Sequence, residues 1–163
     1  MLILKSIQPL VSLYVGRLTK FVSNAPQADI KDPGLVGKLN DDLVDIISLV
    51  FVLSAIAPGD FKQVFENLGN CLKPGGVILF RDYAVNDMAM IRFANGTKIG
   101  ERMYLRQDGT TSYFFTKEEI SALCCETGLK PVDLSYIHRR TVNLKEKVDA
   151  GRIFLQGKFV KEK

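Results

Sequence analysis

The order of apolar and polar residues predicts a β-α-β unit in the middle of the chain. Residues 44–53 form a continuous run rich in Val, Ile and Phe, which is typical of a strand buried on both faces of a parallel sheet. Apolar residues then recur at helical spacing over 61–72, and the KPGG sequence that follows ends the helix and turns the chain. A short apolar run over 77–80 completes the unit, whose crossover should be right-handed.

Shorter elements are predicted after this unit. A short helix is expected over 87–93, and two strands over 99–105 and 111–115 flank the turn sequence RQDGT. A helix over 116–127 should begin with a capping box formed by Thr116 and Glu119. Two further apolar runs, over 131–138 and 152–160, predict an antiparallel strand pair at the sheet edge.

The composition limits the classes of protein to which the chain can belong. A length of 163 residues fits one domain, and the apolar N-terminal stretch is too short and too interrupted by charges for a membrane span. The three cysteines imply neither a disulfide framework nor a zinc site, so we expect no metal and a cytoplasmic location, with the nucleus as the alternative. The net charge of +4 mildly favours a polyanionic partner.

Four ordered sequence strings narrow this interpretation. VFVLSAIAP, LKPGGVILFRDYA, YLRQDGTTSYFFT and RIFLQGKFVK follow one another within residues 43–161. Together they resemble the eukaryotic class I methyltransferase family that forms 3-methylcytidine in tRNA anticodon loops. The resemblance describes one partial domain, with a family-matching core over 43–161 and a divergent N-terminal segment over 1–42.

The resemblance implies an α/β fold with a Rossmann-like sheet in a three-layer αβα arrangement and an antiparallel edge strand near the C-terminus. It also implies S-adenosyl-L-methionine as methyl donor, no metal, tRNA as substrate, and a protein partner such as a tRNA synthetase or another tRNA-binding factor. The family's glycine-rich donor loop and the acidic residue that ends its second strand have no counterpart in the sequence. We therefore expect a fold truncated at its N-terminus, with an exposed apolar sheet edge, that is inactive and marginally folded alone.

The donor and the base have separate candidate residues. The resemblance places Asn24, Ala25 and Val50 on the adenine side of the donor pocket, although a core role for Val50 and a simple turn at FVSNAP are the alternative. Asp82 and Tyr83 follow the second strand of the β-α-β unit, where this architecture binds its ligands. These two are the candidate catalytic residues, with Asp82 holding the exocyclic amino group of cytosine and Tyr83 stacking on the ring.

The remaining candidates are cations that would bind RNA. Arg81 would brace a phosphate or Asp82, while Arg106 and Arg152 belong to regions that mix cations with aromatic residues, as surfaces for single-stranded RNA do. The alternatives are an internal pair between Arg81 and Asp82, and an ordinary solvated surface for the other two. Since cytosine already carries a lone pair on its ring nitrogen, positioning can supply much of the catalysis.

Two other functions compete with the enzymatic one. A non-catalytic member of the same family would keep the RNA-facing half and act as a weak RNA-binding or partner-binding module. A nicotinamide-dependent reductase is disfavoured because no GxGxxG sequence follows a strand.

Overall fold

The chain folds around one six-stranded sheet, with a three-stranded sheet beside it, in the computed structural model. The structure describes residues 28–39, 43–93, 96–143 and 148–162, together with two N-terminal strands at 2–6 and 11–15 as backbone. The strands are β1 (Leu2–Ser6), β2 (Val11–Val15), β3 (Val44–Val50), β4 (Leu72–Tyr83), β5 (Lys98–Gly100), β6 (Met103–Leu105), β7 (Thr111–Tyr113), β8 (Leu129–Asn143) and β9 (Val148–Lys161). The helices are α1 (Phe61–Cys71), α2 (Met88–Arg92) and α3 (Lys117–Glu126).

The large sheet has the strand order β2-β1-β3-β4-β9-β8. Strands β1, β3 and β4 are mutually parallel, whereas β9 runs antiparallel to both of its neighbours. The predicted antiparallel pair at the sheet edge is confirmed by β8 and β9. Strand β9 is the one that runs antiparallel to β4, and it lies between β4 and the edge strand β8.

The β3-α1-β4 unit is confirmed, but both of its strand boundaries differ from the prediction. Strand β3 ends at Val50 because Phe51 adopts a left-handed backbone with φ of 53°, a conformation that hydrophobicity does not reveal. Strand β4 begins at Leu72 and includes the KPGG sequence, with an irregular register opposite β3. Gly76 is required there, since a Cβ atom would lie 2.8 Å from the carbonyl oxygen of Lys73.

Helices α1 and α3 pack together on one face of the large sheet. Phe65, Phe80 and Phe159 are buried between α1 and the strands, with ring centroids 5.6–6.1 Å apart in successive pairs. On the opposite face Val50 is 39% and Leu79 is 42% exposed. Of the two helical layers expected, the described residues therefore form one.

The N-terminal strands place the edge of the large sheet at β2 and not at β3. Strand β1 pairs with β3 in parallel register, and β2 pairs with β1, so the edge on this side belongs to β2. Residues 28–39 then pack on α1, where the buried amide of Asn67 donates to the carbonyl oxygens of Ile30 and Asp32 at 2.9 and 3.1 Å. Within the described residues no helix is long and apolar enough to span a membrane.

The RQDGT hairpin is confirmed by β6 and β7, and β5 adds a third strand. Half of the predicted capping box forms, with Thr116 accepting the Glu119 N–H at 3.2 Å. The Glu119 carboxylate is used elsewhere, because it accepts hydrogen bonds from Arg102 at 2.9 Å and from the Tyr113 hydroxyl at 2.6 Å. This network fastens the small sheet to α3.

Candidate substrate site

A cavity of about 620 Å³ lies beside the carboxyl end of β4, between α2 and the small sheet. Its volume is in the range of pockets that hold small molecules and is large enough for a nucleoside. The lining residues combine aromatic rings, arginines and small polar groups: Tyr83, Ala89, Arg92, Phe93, Thr97, Leu105, Arg106, Gln107, Asp108, Ser112, Phe114 and Arg152. Flat apolar walls with cations are the chemistry that recognises a base and its phosphate.

Aromatic packing fixes the walls of this cavity. Phe93 stacks on Tyr104 with centroids 4.8 Å apart and an interplanar angle of 17°. Phe114 is buried and contacts both of these rings edge-on, while its centroid lies 5.8 Å from that of Tyr83. Four rings from four separate segments of the chain therefore hold one another in place.

Arg152 is held rigidly at the cavity by a buried carboxylate. Asp87 is fully buried, and the Nε of Arg152 lies 3.0 Å from each of its carboxylate oxygens. The same carboxylate accepts the N–H groups of Ile153 and Ala89, both at 2.7 Å, and so caps α2. Since only Nε takes part in this ion pair, the terminal amino groups of the guanidinium lie outside it.

Two guanidinium groups lie over the rings at the ends of the central strands. Arg152 is 5.1 Å from the ring centroid of Phe154 and 5.7 Å from that of Tyr83. Arg81 lies 4.8 Å from the Phe154 centroid and donates to the side-chain oxygen of Gln156 at 3.3 Å. The internal Arg81–Asp82 pair is absent from the described contacts.

Asp82 is fully buried and does not line the cavity. Its oxygens accept the backbone N–H groups of Ser54 at 3.0 Å and Tyr83 at 2.9 Å. Burial raises the pKa of this carboxyl to about 6, an effect that these hydrogen bonds partly oppose. Asp82 thus joins the end of β4 to the loop that follows β3.

The residues at the end of β3 are apolar and accessible. Phe51 is 37% exposed, and its ring lies 5.1 Å from Tyr83 and 5.4 Å from Phe154. Val50 pairs with Arg81 across the strands and lines a separate cavity of about 330 Å³ on the open sheet face. Asn24 and Ala25 lie outside the described residues.

The structure brings together Tyr83, Arg106 and Arg152 from the predicted set, and places Asp82, Arg81 and Val50 outside the cavity. Their functional roles stay predictions. Sequence reasoning missed Phe51, Phe93 and Asp87. Only Asp87 carried a readable signal, since an aspartate just before a predicted helix is typical of an N-cap.

Comparison with known proteins identifies the family of this chain. A family model described as a methyltransferase domain matches residues 15–134. The chain belongs to this methyltransferase family. The division of this methyltransferase chain into segments 1–42 and 43–161 stays a prediction.

Individual relatives share 39–46% of their aligned residues with this chain. The chain is 46% identical over 135 residues to the tRNA N(3)-cytidine methyltransferase METTL6 of Pongo abelii, covering 83% of this chain and 48% of that protein. It is 44% identical over the same length to METTL6 of Homo sapiens, and 39% identical over 133 residues to the tRNA N(3)-cytidine methyltransferase METTL2 of Xenopus tropicalis. The chain thus spans about half the length of METTL6.

Solved structures confirm the fold. A SAM-dependent methyltransferase from Anabaena variabilis superposes with a TM-score of 0.62 at 14% identity, covering 83% of this chain and 57% of that one. A SAM-dependent methyltransferase from Methanosarcina mazei gives a TM-score of 0.55 at 16% identity, with coverages of 72% and 59%. The expected class I methyltransferase fold is therefore confirmed, while identities this low carry no information about substrate.

Proposed function

We propose that this methyltransferase recognises a cytidine of tRNA in the aromatic cavity, for methylation of its ring N3 with S-adenosylmethionine as donor. The observation that carries the proposal is the cavity itself, which places Tyr83, Arg106 and Arg152 around a space of about 620 Å³ at the carboxyl end of a central strand. Class I sheets bind their ligands at this end. The names of the METTL6 and METTL2 relatives supply the identity of the base.

Different residues of the cavity bind the base and the phosphates. Tyr83 stacks on the base, and Arg106 and Arg152 bind the phosphates that flank it. Asp82 is enclosed by protein, so we propose that it positions Tyr83 and the loop after β3 through its two backbone hydrogen bonds. Arg81 supports the same strand ends by lying over Phe154.

The described residues fit part of the methyl donor. Val50 and Phe51 present exposed apolar surface at the end of β3, which suits the adenine ring. The family's ribose-binding carboxylate has no counterpart in the described part of the chain, and Asn24 and Ala25 stay predictions. When bound, the donor supplies an electrophilic methyl group, and this chain's task is to hold the cytosine N3 lone pair towards it while excluding water. Among the described residues no cluster of three or more metal-binding side chains occurs.

Base stacking on Tyr83 can be tested directly. We expect Tyr83→Ala to weaken binding of an anticodon stem-loop RNA with one unpaired cytidine about tenfold, because stacking of one base contributes about 1–3 kcal/mol. Tyr83→Phe is the matched control, since it keeps the ring, and should bind within about twofold of the unsubstituted chain on that reasoning. Equal affinities of all three proteins, measured by fluorescence anisotropy, would contradict the proposal.

A second candidate function is RNA binding without turnover. The open sheet face favours it, because Val50 and Leu79 are exposed on the face of the sheet that α1 does not cover. Incubation with tRNA and donor labelled in the methyl group, followed by nucleoside analysis, separates the two. Labelled 3-methylcytidine supports the enzyme and refutes the expectation of inactivity alone, whereas base-dependent binding without label supports the second candidate. A tRNA synthetase or similar partner, and a cytoplasmic location, stay predictions.

A further inference from the structure

A second cavity lies on the other side of Arg152. Its volume is about 500 Å³, and its lining consists of Asn86, Met88, His138, Arg139, Arg140, Gly151, Arg152 and Ile153. Among the described residues, Arg152 is the one that lines both this cavity and the aromatic cavity. Unlike the aromatic cavity, it has no Phe or Tyr ring among its described lining residues, and its one described ring is that of His138. Cations therefore predominate over aromatic surface in this cavity.

The wall of this second cavity is a two-stranded ribbon. Strand β9 pairs with β4 only from Phe154 onward, whereas its pairing with β8 continues to Val148. The ribbon therefore extends beyond the large sheet. The carbonyl oxygen of Ile153 still accepts the Ala84 N–H at 3.2 Å, and the strand pairing of residues 148–152 is with β8. Its arginines are presented by regular strands and not by a loop.

The ribbon places two like charges directly opposite each other. Arg139 and Arg152 are cross-strand partners in the β8–β9 register, an arrangement that destabilises a sheet. Asp87 neutralises Arg152, and Asp149 neutralises Arg140 through hydrogen bonds of 2.8 and 2.5 Å. Arg139 is exposed, and no carboxylate among the described residues forms an ion pair with it.

We propose that this second cavity is a phosphate-binding groove for the RNA backbone next to the nucleotide held in the aromatic cavity. Arg139 and the terminal amino groups of Arg152 would bind the phosphate, whose negative charge compensates the charge of Arg139. This inference rests on the proposed function, because the shared Arg152 connects the groove to the base. It assigns backbone binding to the groove and base recognition to the aromatic cavity.

The groove is tested with variants that each remove one positive charge. Arg139→Gln changes the groove, and Lys73→Gln is the control, because Lys73 is an exposed lysine paired with Asp45 where β4 begins, at the opposite end of that strand from Tyr83. Binding of the fluorescein-labelled cytidine stem-loop is measured by anisotropy between about 50 and 200 mM salt, the range over which phosphate contacts weaken strongly. We expect R139Q to weaken binding about fivefold and to lower the salt slope by about one, as the loss of one phosphate contact requires.

The control and a conservative variant make the result decisive. K73Q should leave the salt dependence of RNA binding unchanged. Arg139→Lys should also keep the salt dependence of the unsubstituted chain, because the positive charge stays in the groove. If R139Q and K73Q behave alike, the groove is refuted, even when the unsubstituted chain still prefers cytidine. If the unsubstituted chain does not distinguish the cytidine stem-loop from one with an abasic site, the proposed function fails instead. No RNA binding at all would overturn both.

Discussion

The ion pair between Asp87 and Arg152 provides the sharpest test of how the site is built. Asp87 is fully buried, and its carboxylate accepts hydrogen bonds from Arg152 and from two backbone N–H groups. Removing one partner of a buried pair costs about 3–5 kcal/mol, because the other charge is left uncompensated. The Arg152 side chain is 23% exposed, so water reduces this cost, and we expect Asp87→Asn to lower the free energy of unfolding by about 2–3 kcal/mol.

A double-mutant cycle separates the pair from the other roles of Asp87. Arg152→Met alone should cost about 2 kcal/mol, since a buried carboxylate keeps only its backbone donors. The double variant should cost far less than the sum, with a coupling of about 2 kcal/mol, because neither charge remains. Urea denaturation followed by circular dichroism measures each value. Additivity within about 0.5 kcal/mol would refute the view that Asp87 holds Arg152 in place.

Three further predictions concern the core and the thiols. Burial raises the pKa of Asp82 to about 6, above its value in the unfolded chain. The free energy of unfolding should therefore fall by up to about 3 kcal/mol as the pH rises from about 4 to 6. A fall of equal size in the Asp82→Asn variant would contradict this prediction. Gly157→Ala should lower the free energy of unfolding by about 1–3 kcal/mol, because its Cβ would lie 2.8 Å from Phe159. Gly69→Ala in α1, where a Cβ would meet no atom within 4 Å, should raise it by about 0.5–1 kcal/mol. Equal effects of the two substitutions in urea denaturation would refute the packing argument. Burial raises the pKa of Cys71 to about 11 and that of Cys124 to about 12. Only the exposed Cys125 should therefore react quickly with a thiol reagent at pH 8. Rapid labelling of all three cysteines in the folded chain would contradict this prediction.

The regular elements were predictable because their periodicity reflects burial. Strand β3 reads as a continuous apolar run, and in the structure Ile47 and Leu49 are fully buried, whereas Val50 is exposed on the open face. Apolar residues at helical spacing identified α1 for the same reason. The strand ends were less readable, since the left-handed turn at Phe51 and the extended KPGG segment depend on backbone contacts with neighbouring strands.

The site could be predicted only in part. Tyr83 and Arg152 were found because they lie in recognisable sequence strings, but the cavity depends on contacts between distant segments. Asp87 and Arg152 are 65 positions apart, and no local pattern connects them. Asp82 was expected to face the substrate, yet the sequence cannot show on which side of β4 its carboxylate finds hydrogen-bond donors.

The central claim is that the aromatic cavity accepts a cytidine base, and base-dependent RNA binding tests it most directly. The measurement compares two anticodon stem-loops that differ only in whether the unpaired nucleotide carries cytosine or is abasic. We predict that the cytidine RNA binds about tenfold more tightly, as one stacked base requires, and that Tyr83→Ala removes the difference. Equal affinity for the two RNAs by the folded, unsubstituted chain would contradict the account.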